Sequence, residues 1–220
     1  MKAMILAAGR GERMRPLTDR IPKPLLEAGG KPLIQYHIEA LRDAGFRELV
    51  INHAHLGTQL VERLGNGEQL GVRIRYSAEP EGALETGGGI KHALTLLGEQ
   101  AFLVVNGDIW TDYPYERLQR EPDGLAHLVL VDNPAHNPDG DFQLSGDRVT
   151  DKGKQKLTFS GIGLYRPGLF AVVPDVAFPL APVLRGAMQH EQVSGEYYPG
   201  QWTDIGSPQR LAELDQKLRG

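Results

Sequence analysis

At 220 residues with 40% hydrophobic and 24% charged content, the chain can bury one sizeable core and is too ordinary in composition to be disordered. A net charge of −4 argues against a general nucleic-acid binder, whose phosphate-gripping surface is net basic. With no cysteine, a disulfide framework, a thiolate nucleophile and a cysteine metal site are excluded.

Residues 3–7 read as a first strand rather than a signal sequence, because Gly9 and a basic cluster interrupt the apolar run at once. No later stretch approaches the roughly 18 apolar residues of a spanning helix. A soluble, cytoplasmic protein without membrane or nucleic-acid partners is therefore expected, as a monomer or small homo-oligomer.

The first strand opens into Leu6-Ala7-Ala8-Gly9-Arg10-Gly11-Glu12-Arg13-Met14-Arg15-Pro16-Leu17-Thr18, followed by Pro22-Lys23-Pro24. Gly9 and Gly11 let backbone N–H groups approach a ligand. Arg10, Arg13, Arg15 and Lys23 add positive charge, a combination suited to a triphosphate. The run is neither a dinucleotide fingerprint, which wants glycine where Met14 stands, nor a P-loop, which wants Gly-Lys-Ser/Thr. Its pattern resembles the opening signature of the sugar-1-phosphate nucleotidyltransferases.

Further along, apolar runs at 49–52, 72–76 and 102–106 read as strands. Helical patterns lie between them: Leu33, Tyr36, Ile38, Leu41 and Ala44 near a 3.6-residue period with Gly45 at the end, then 56–64 and 89–97. This alternation predicts an α/β, Rossmann-like fold: a mostly parallel sheet flanked by helices, with ligands collecting at the carboxyl ends of strands. Glu79-Pro80-Glu81-Gly82-Ala83-Leu84-Glu85-Thr86-Gly87-Gly88-Gly89 is a glycine-rich entry to a helix, whose amides could meet an anion or lie against a base. Asn106-Gly107-Asp108 places a carboxylate at the tip of a central strand, where a hard oxygen donor suits Mg²⁺.

In the second half, 125–131 reads as a buried strand, 133–141 as a turn-rich loop and 142–150 as a hairpin turning near Ser145-Gly146. A basic run, Lys152-Gly153-Lys154-Gln155-Lys156, precedes a strand over 157–165 that carries Gly161. Helices are expected over 181–190 and after Ser207-Pro208, with Ser207 as N-cap. No repeat or linker is visible, so 1–220 reads as one domain. Residues 1–110 are expected to be mainly the nucleotide-binding half and 111–220 mainly the sugar-phosphate-binding half, with a small β-rich annex on the acceptor side.

Trp202-Thr203-Asp204-Ile205-Gly206-Ser207-Pro208 resembles the closing signature of the same family, so the resemblance spans nearly the full chain. It implies that a nucleoside triphosphate and a sugar 1-phosphate are joined with release of pyrophosphate and no protein nucleophile. By this resemblance Asp108 and Asp204 hold Mg²⁺, and Arg13 and Lys23 act with Asp108 on the triphosphate. Ala8, Gly9, Gly11, Glu79, Thr86 and Gly87 cradle the nucleotide, with Glu79 accepting a uracil or thymine imino N–H. Asn106, Lys156 and Gly161 meet the acceptor.

Two departures from the family pattern stand out. Leu84-Glu85-Thr86-Gly87-Gly88-Gly89 replaces Leu-Gly-Thr-Ala-Gly, and Asp151-Lys152-Gly153 replaces Glu-Lys-Pro, which leaves the acting lysine among Lys152, Lys154 and Lys156 open. The opening signature, the short length and the Glu-Thr-Gly-Gly-Gly loop are most similar to members that use UTP and N-acetylmuramate 1-phosphate. Rival members are guanylyl-transferring on mannose 1-phosphate, or thymidylyl- or uridylyl-transferring on glucose 1-phosphate. A non-catalytic nucleotide-sugar sensor is the reading from a different class. A muramate lactyl carboxylate would want a cation, for which Arg185 and the lysine run are available.

Overall fold

The computed structural model describes residues 1–80, 84–173 and 176–220. In chain order it contains β1 Lys2–Leu6, β2 Glu27–Ala28, β3 Lys31–Pro32, α1 Leu33–Asp43, β4 Glu48–His53, α2 Gly57–Leu64 and β5 Arg73–Ala78. Then come α3 Glu85–Leu97, β6 Phe102–Asn106, β7 Ile109–Thr111, β8 Ala126–Val131, β9 Gln143–Ser145 and β10 Arg148–Thr150. The chain closes with β11 Thr158–Tyr165, α4 Leu180–Met188, β12 Val193–Tyr197, β13 Trp202–Asp204 and α5 Pro208–Arg219.

A nine-stranded sheet in the order β5-β4-β1-β6-β11-β8-β12-β10-β9 runs through both halves. Its first four strands are parallel, β11 runs against β6 and β8, and β8 pairs parallel with β12. The mostly parallel sheet expected from sequence is what forms, and strands β8 to β12 of the second half extend it rather than forming a separate annex. The separate pieces are a ribbon of β7 with β13 and the two-residue hairpin β2–β3.

Side chains alternate across the sheet, so each strand feeds two apolar layers. On one face Ala3 and Ile5 pack with Ile34, Ile38 and Leu41 of α1 and Leu60 of α2. On the other, Met4, Val104 and Leu128 pack with Ile90 and Leu97 of α3 and Leu184 of α4. Both layers leave the carboxyl ends of β1, β4 and β6 open. A third small cluster joins Met14, Leu26 and Leu33 to Ile205 and to Leu214 of α5, so the last helix anchors the first loop.

Two helix ends follow their sequence signals. Gly45 has φ 90°, and Phe46 N–H reaches back to Leu41 O, closing α1. Ser207 accepts from Arg210 N–H with Pro208 at the first helical position of α5. The start of α3 differs, since the helix begins at Glu85 rather than Gly89. Glycines weaken a helix signal locally, but these are packed too closely for a side chain: a Cβ on Gly89 would lie 2.5 Å from Glu79 Oε1.

Candidate active site

The open strand ends form a cleft of about 330 Å³. Ala8, Gly9, Gly11, Arg13, Lys23, Glu79, Thr86, Asn106 and Asp108, all named from the sequence, line it. Gly87, Lys156, Gly161 and Asp204 are not part of its wall.

The loop after β1 is held from below. Met14 is fully buried in the third cluster, and Gly11 turns at φ 67° with its carbonyl accepting from Thr18 Oγ1 at 2.8 Å. The four loop cations divide into two pairs. Arg10 and Arg15 face outward, Arg10 reaching Thr18 O and His55 while both meet Asp19. The hydrogen bond from Arg15 holds the Asp19 carboxyl below its ordinary range. Lys23 and Arg13 face the cleft instead. Lys23 is 8% exposed and its Nζ donates to Asp108 Oδ2 at 2.7 Å. Arg13 has no hydrogen-bond or ion-pair partner among the described residues, so it is the loop cation available to a ligand.

Asp108 and Asp204 come from adjoining chain segments. β7 and β13 pair Asp204 with Ile109, and Ile205 N–H donates to Asp108 O at 2.7 Å. The Asp204 carboxylate is held at one oxygen: Oδ1 meets Arg210 and, at 3.0 Å, His136 Nε2. Its Oδ2 lies 2.8 Å from where a Cβ on Gly206 would stand, and Gly206 lines the cleft. Among the described residues no group of three His, Cys, Asp or Glu gathers. The donor set therefore fits Mg²⁺, which binds through one or two carboxylates and completes its shell with phosphate and water, better than a metal needing a protein cage.

Arg210 and His136 were illegible as neighbours of Asp204, one being in a helix and the other in a proline-rich loop. The available signal was Arg210 itself, a cation in the first turn of α5 where the helix dipole favours an anion. His37 was also missed. It is buried, and its Nε2 donates to Ile109 O at 2.8 Å, which steadies the corner after Asp108. Burial lowers its pKa to about 4, so it is neutral at pH 7.

At the other end of the cleft, Asn52, next to the last residue of β4, joins two elements. Its Oδ1 accepts from Ala7 N–H at 2.7 Å and its Nδ2 donates to Glu79 Oε1 at 2.6 Å. Glu79 Oε2 accepts from Leu84 N–H at 2.8 Å, so both carboxylate oxygens already have protein donors. The sequence signal for Asn52 was a polar residue ending an apolar strand. Gly87 N–H donates to Phe178 O, as does Gly88 N–H, which directs these amides away from the cleft. Glu81, Gly82 and Ala83 of the glycine-rich turn lie outside the described residues.

In the second half of the chain, a bulge in β11 between Phe159 and Ile162 carries Gly161 at φ 81°. A Cβ there would stand 2.6 Å from Asn106 Nδ2, so this bulge closes over the tip of β6. Trp202 Nε1 donates to Ser160 O at 2.9 Å and ties the bulge to β13. Of the basic run, Lys152 and Lys154 are exposed, whereas Lys156 approaches Asp151 at 3.9 Å. Arg185 meets the same carboxylate at 3.0 Å. No helix among the described residues is long and apolar enough to cross a membrane.

Residues 2–142 match the model of the nucleotidyl transferase family. The N-acetylmuramate alpha-1-phosphate uridylyltransferase of Neisseria meningitidis serogroup B is 55% identical, over 100% of this chain and 99% of the relative. The protein of that name from Caulobacter vibrioides is 35% identical, with 98% and 96% covered. A Bacillus anthracis crystal structure superposes with a TM-score of 0.88 at 21% identity, over 100% of this chain and 95% of the other, a likeness of fold alone.

Proposed function

This chain belongs to the nucleotidyl transferase family, and from that premise we propose that it transfers the uridylyl group of UTP to N-acetylmuramate 1-phosphate, releasing pyrophosphate. The observation that carries the substrate pair is the full-length 55% identity to the Neisseria uridylyltransferase, against which the rival sugars and bases have no comparable support. The cleft supports the reaction class. It sets Arg13, which has no partner among the described residues, a buried Lys23 and glycine backbone along one side of a strand-end hollow, where a triphosphate would be gripped.

In this reading an acceptor phosphate oxygen attacks the α-phosphorus in line, and the bond to the leaving pyrophosphate breaks. The protein's work is to hold two mutually repelling anions together and offset the charge that develops. Arg13 neutralises the triphosphate. Lys23, fixed by burial and by Asp108, remains a stationary cation beside the reacting phosphate. Asp108 and Asp204 would hold Mg²⁺, which supplies charge neutralisation and orientation of the phosphate oxygens. Arg210 and His136 fix the Asp204 carboxylate through Oδ1 and leave Oδ2 for this use. Asn106 bounds the space next to the reacting phosphate, and the Gly161 bulge packs against its side chain from outside the cleft wall.

Pyrophosphate release, measured with Mg²⁺ for UTP, dTTP, GTP, CTP and ATP against a panel of sugar 1-phosphates, tests the proposal. Release confined to UTP with N-acetylmuramate 1-phosphate is expected. Release with another pair would keep the reaction and discard the substrate, and none with any pair would favour the non-catalytic sensor.

A further inference from the structure

The two walls of the cleft carry opposite chemistry. One offers Arg13, Lys23 and the backbone at Ala8, Gly9 and Gly11; the other offers the oxygens of Glu79, Glu85 and Thr86. A helix start ordinarily holds N–H groups out to an anion, yet at α3 the amides of Gly87 and Gly88 are already given to Phe178 O. A wall with carboxylates and few free amides repels phosphate. It suits the hydrogen-bond donors of an uncharged group.

The two acids on this wall are not equivalent. Glu79 is 9% exposed and immobilised by Asn52 and by Leu84 N–H. Glu85 is exposed, lines the cleft, and has no hydrogen-bond or ion-pair partner among the described residues. Its backbone also sits at φ 56°, in the left-handed region where glycine is the favoured residue. A carboxylate kept at a position whose backbone suits glycine directs attention to the side chain, and strained positions of this kind concentrate at functional sites.

We propose that Glu85 reads the ribose, its carboxylate accepting hydrogen bonds from the 2′- and 3′-hydroxyls of the bound nucleoside triphosphate. The site thereby selects ribonucleotides over deoxyribonucleotides. Two carboxylate oxygens match two vicinal hydroxyls, as an acid meets a ribose in dinucleotide folds. The direction of the cleft agrees: with phosphates drawn to Arg13 and Lys23, the nucleoside extends toward Asn52, Glu79 and Glu85. This assignment rests on the nucleotide-site reading above and deepens it.

The test compares UTP, 2′-deoxy-UTP and 3′-deoxy-UTP in wild type, Glu85→Gln and Glu85→Gly. Turnover is followed by pyrophosphate release with N-acetylmuramate 1-phosphate, and nucleotide binding by calorimetry without acceptor. Wild type should prefer UTP by about 10- to 100-fold, the size of a hydrogen bond to a charged group. Glu85→Gly should bring the three nucleotides to within about 3-fold, through a loss largest on UTP, since each deoxy analogue has only one of the two hydrogen bonds to lose, and Glu85→Gln should fall between. Because glycine suits this φ, Glu85→Gly should unfold at no lower temperature than wild type, which separates selectivity from folding. An unchanged preference in Glu85→Gly, or no preference in wild type, would overturn the assignment. If wild type turns over no nucleotide, the uridylyl-transfer reading fails. Calorimetry then decides Glu85 alone: a preference for UTP that disappears in Glu85→Gly supports it, and no preference refutes it.

Discussion

The basic loop at residues 9–23 and the basic run at residues 151–156 look alike in sequence, each a cluster of cations around glycine. In the fold the first supplies a buried Lys23 and Arg13, the latter without a partner among the described residues, to the cleft, while the second sets Lys156 beside Asp151, which Arg185 also meets. The first region sets two of its cations at a cleft wall, one of them buried against Asp108; the second leaves its cations at the surface or beside Asp151. Burial makes this difference. The first loop is anchored by Met14 in an apolar cluster, whereas Lys152 and Lys154 lie on the surface. Cation density alone therefore does not identify an anion site.

The comparison can be broken most severely at the rigid end. Asp108→Asn keeps a partner for Lys23 and so should leave folding intact while turnover falls by about 10²- to 10³-fold. Near-normal turnover would remove Asp108 from the site.

Next in size is the corner that carries Asp108. His37 has a folded pKa of about 4, below its ordinary 6.5, so the unfolded chain binds the extra proton between those values. Its stabilising contribution is present above pH 6.5 and is lost as pH falls toward 4, a change of roughly 3 kcal/mol. Denaturant unfolding at pH 7 and pH 4.5 should show that loss in wild type, and a much smaller one in His37→Gln.

Arg13→Ala should raise the KM for UTP about 10-fold and leave the KM for the sugar phosphate unchanged, since charge-assisted phosphate contacts are of that order. Steady-state titration of each substrate separates the two.

The smallest effect sharpens the other side. Asp151 is partly exposed, so Asp151→Asn should release Lys156 and Arg185 at little cost to stability. If these cations serve the acceptor, its KM should fall about 2- to 3-fold while that for UTP stays fixed. An unchanged acceptor KM would detach the run from the reaction.

The parallel half was legible because buried strands and amphipathic helices leave strong local patterns. β1, β4, β5 and β6 appear where apolar runs predict them, and the Asn106-Gly107-Asp108 corner follows from the end of β6. What escaped depends on distant partners. β12 was missed because Ser194, Gly195 and Glu196 interrupt its apolar signal, although it pairs with β8 along its whole length. β7 and β13 are three residues each and exist through one another. The same limit holds at the site. Arg13 and Lys23 could be named from a motif, but not that Arg10 and Arg15 turn to Asp19, nor that Arg210 and His136 converge on Asp204.

Both tryptophans of the chain, Trp110 and Trp202, lie on the β7–β13 ribbon. Lys217 sits over the first ring at 4.9 Å, and the second holds Ser160 O through its indole N–H. The protein's tryptophan fluorescence, excited selectively over its seven tyrosines, is thus confined to the ribbon whose second strand ends in Asp204, and it serves as a label-free optical probe of events at that carboxylate.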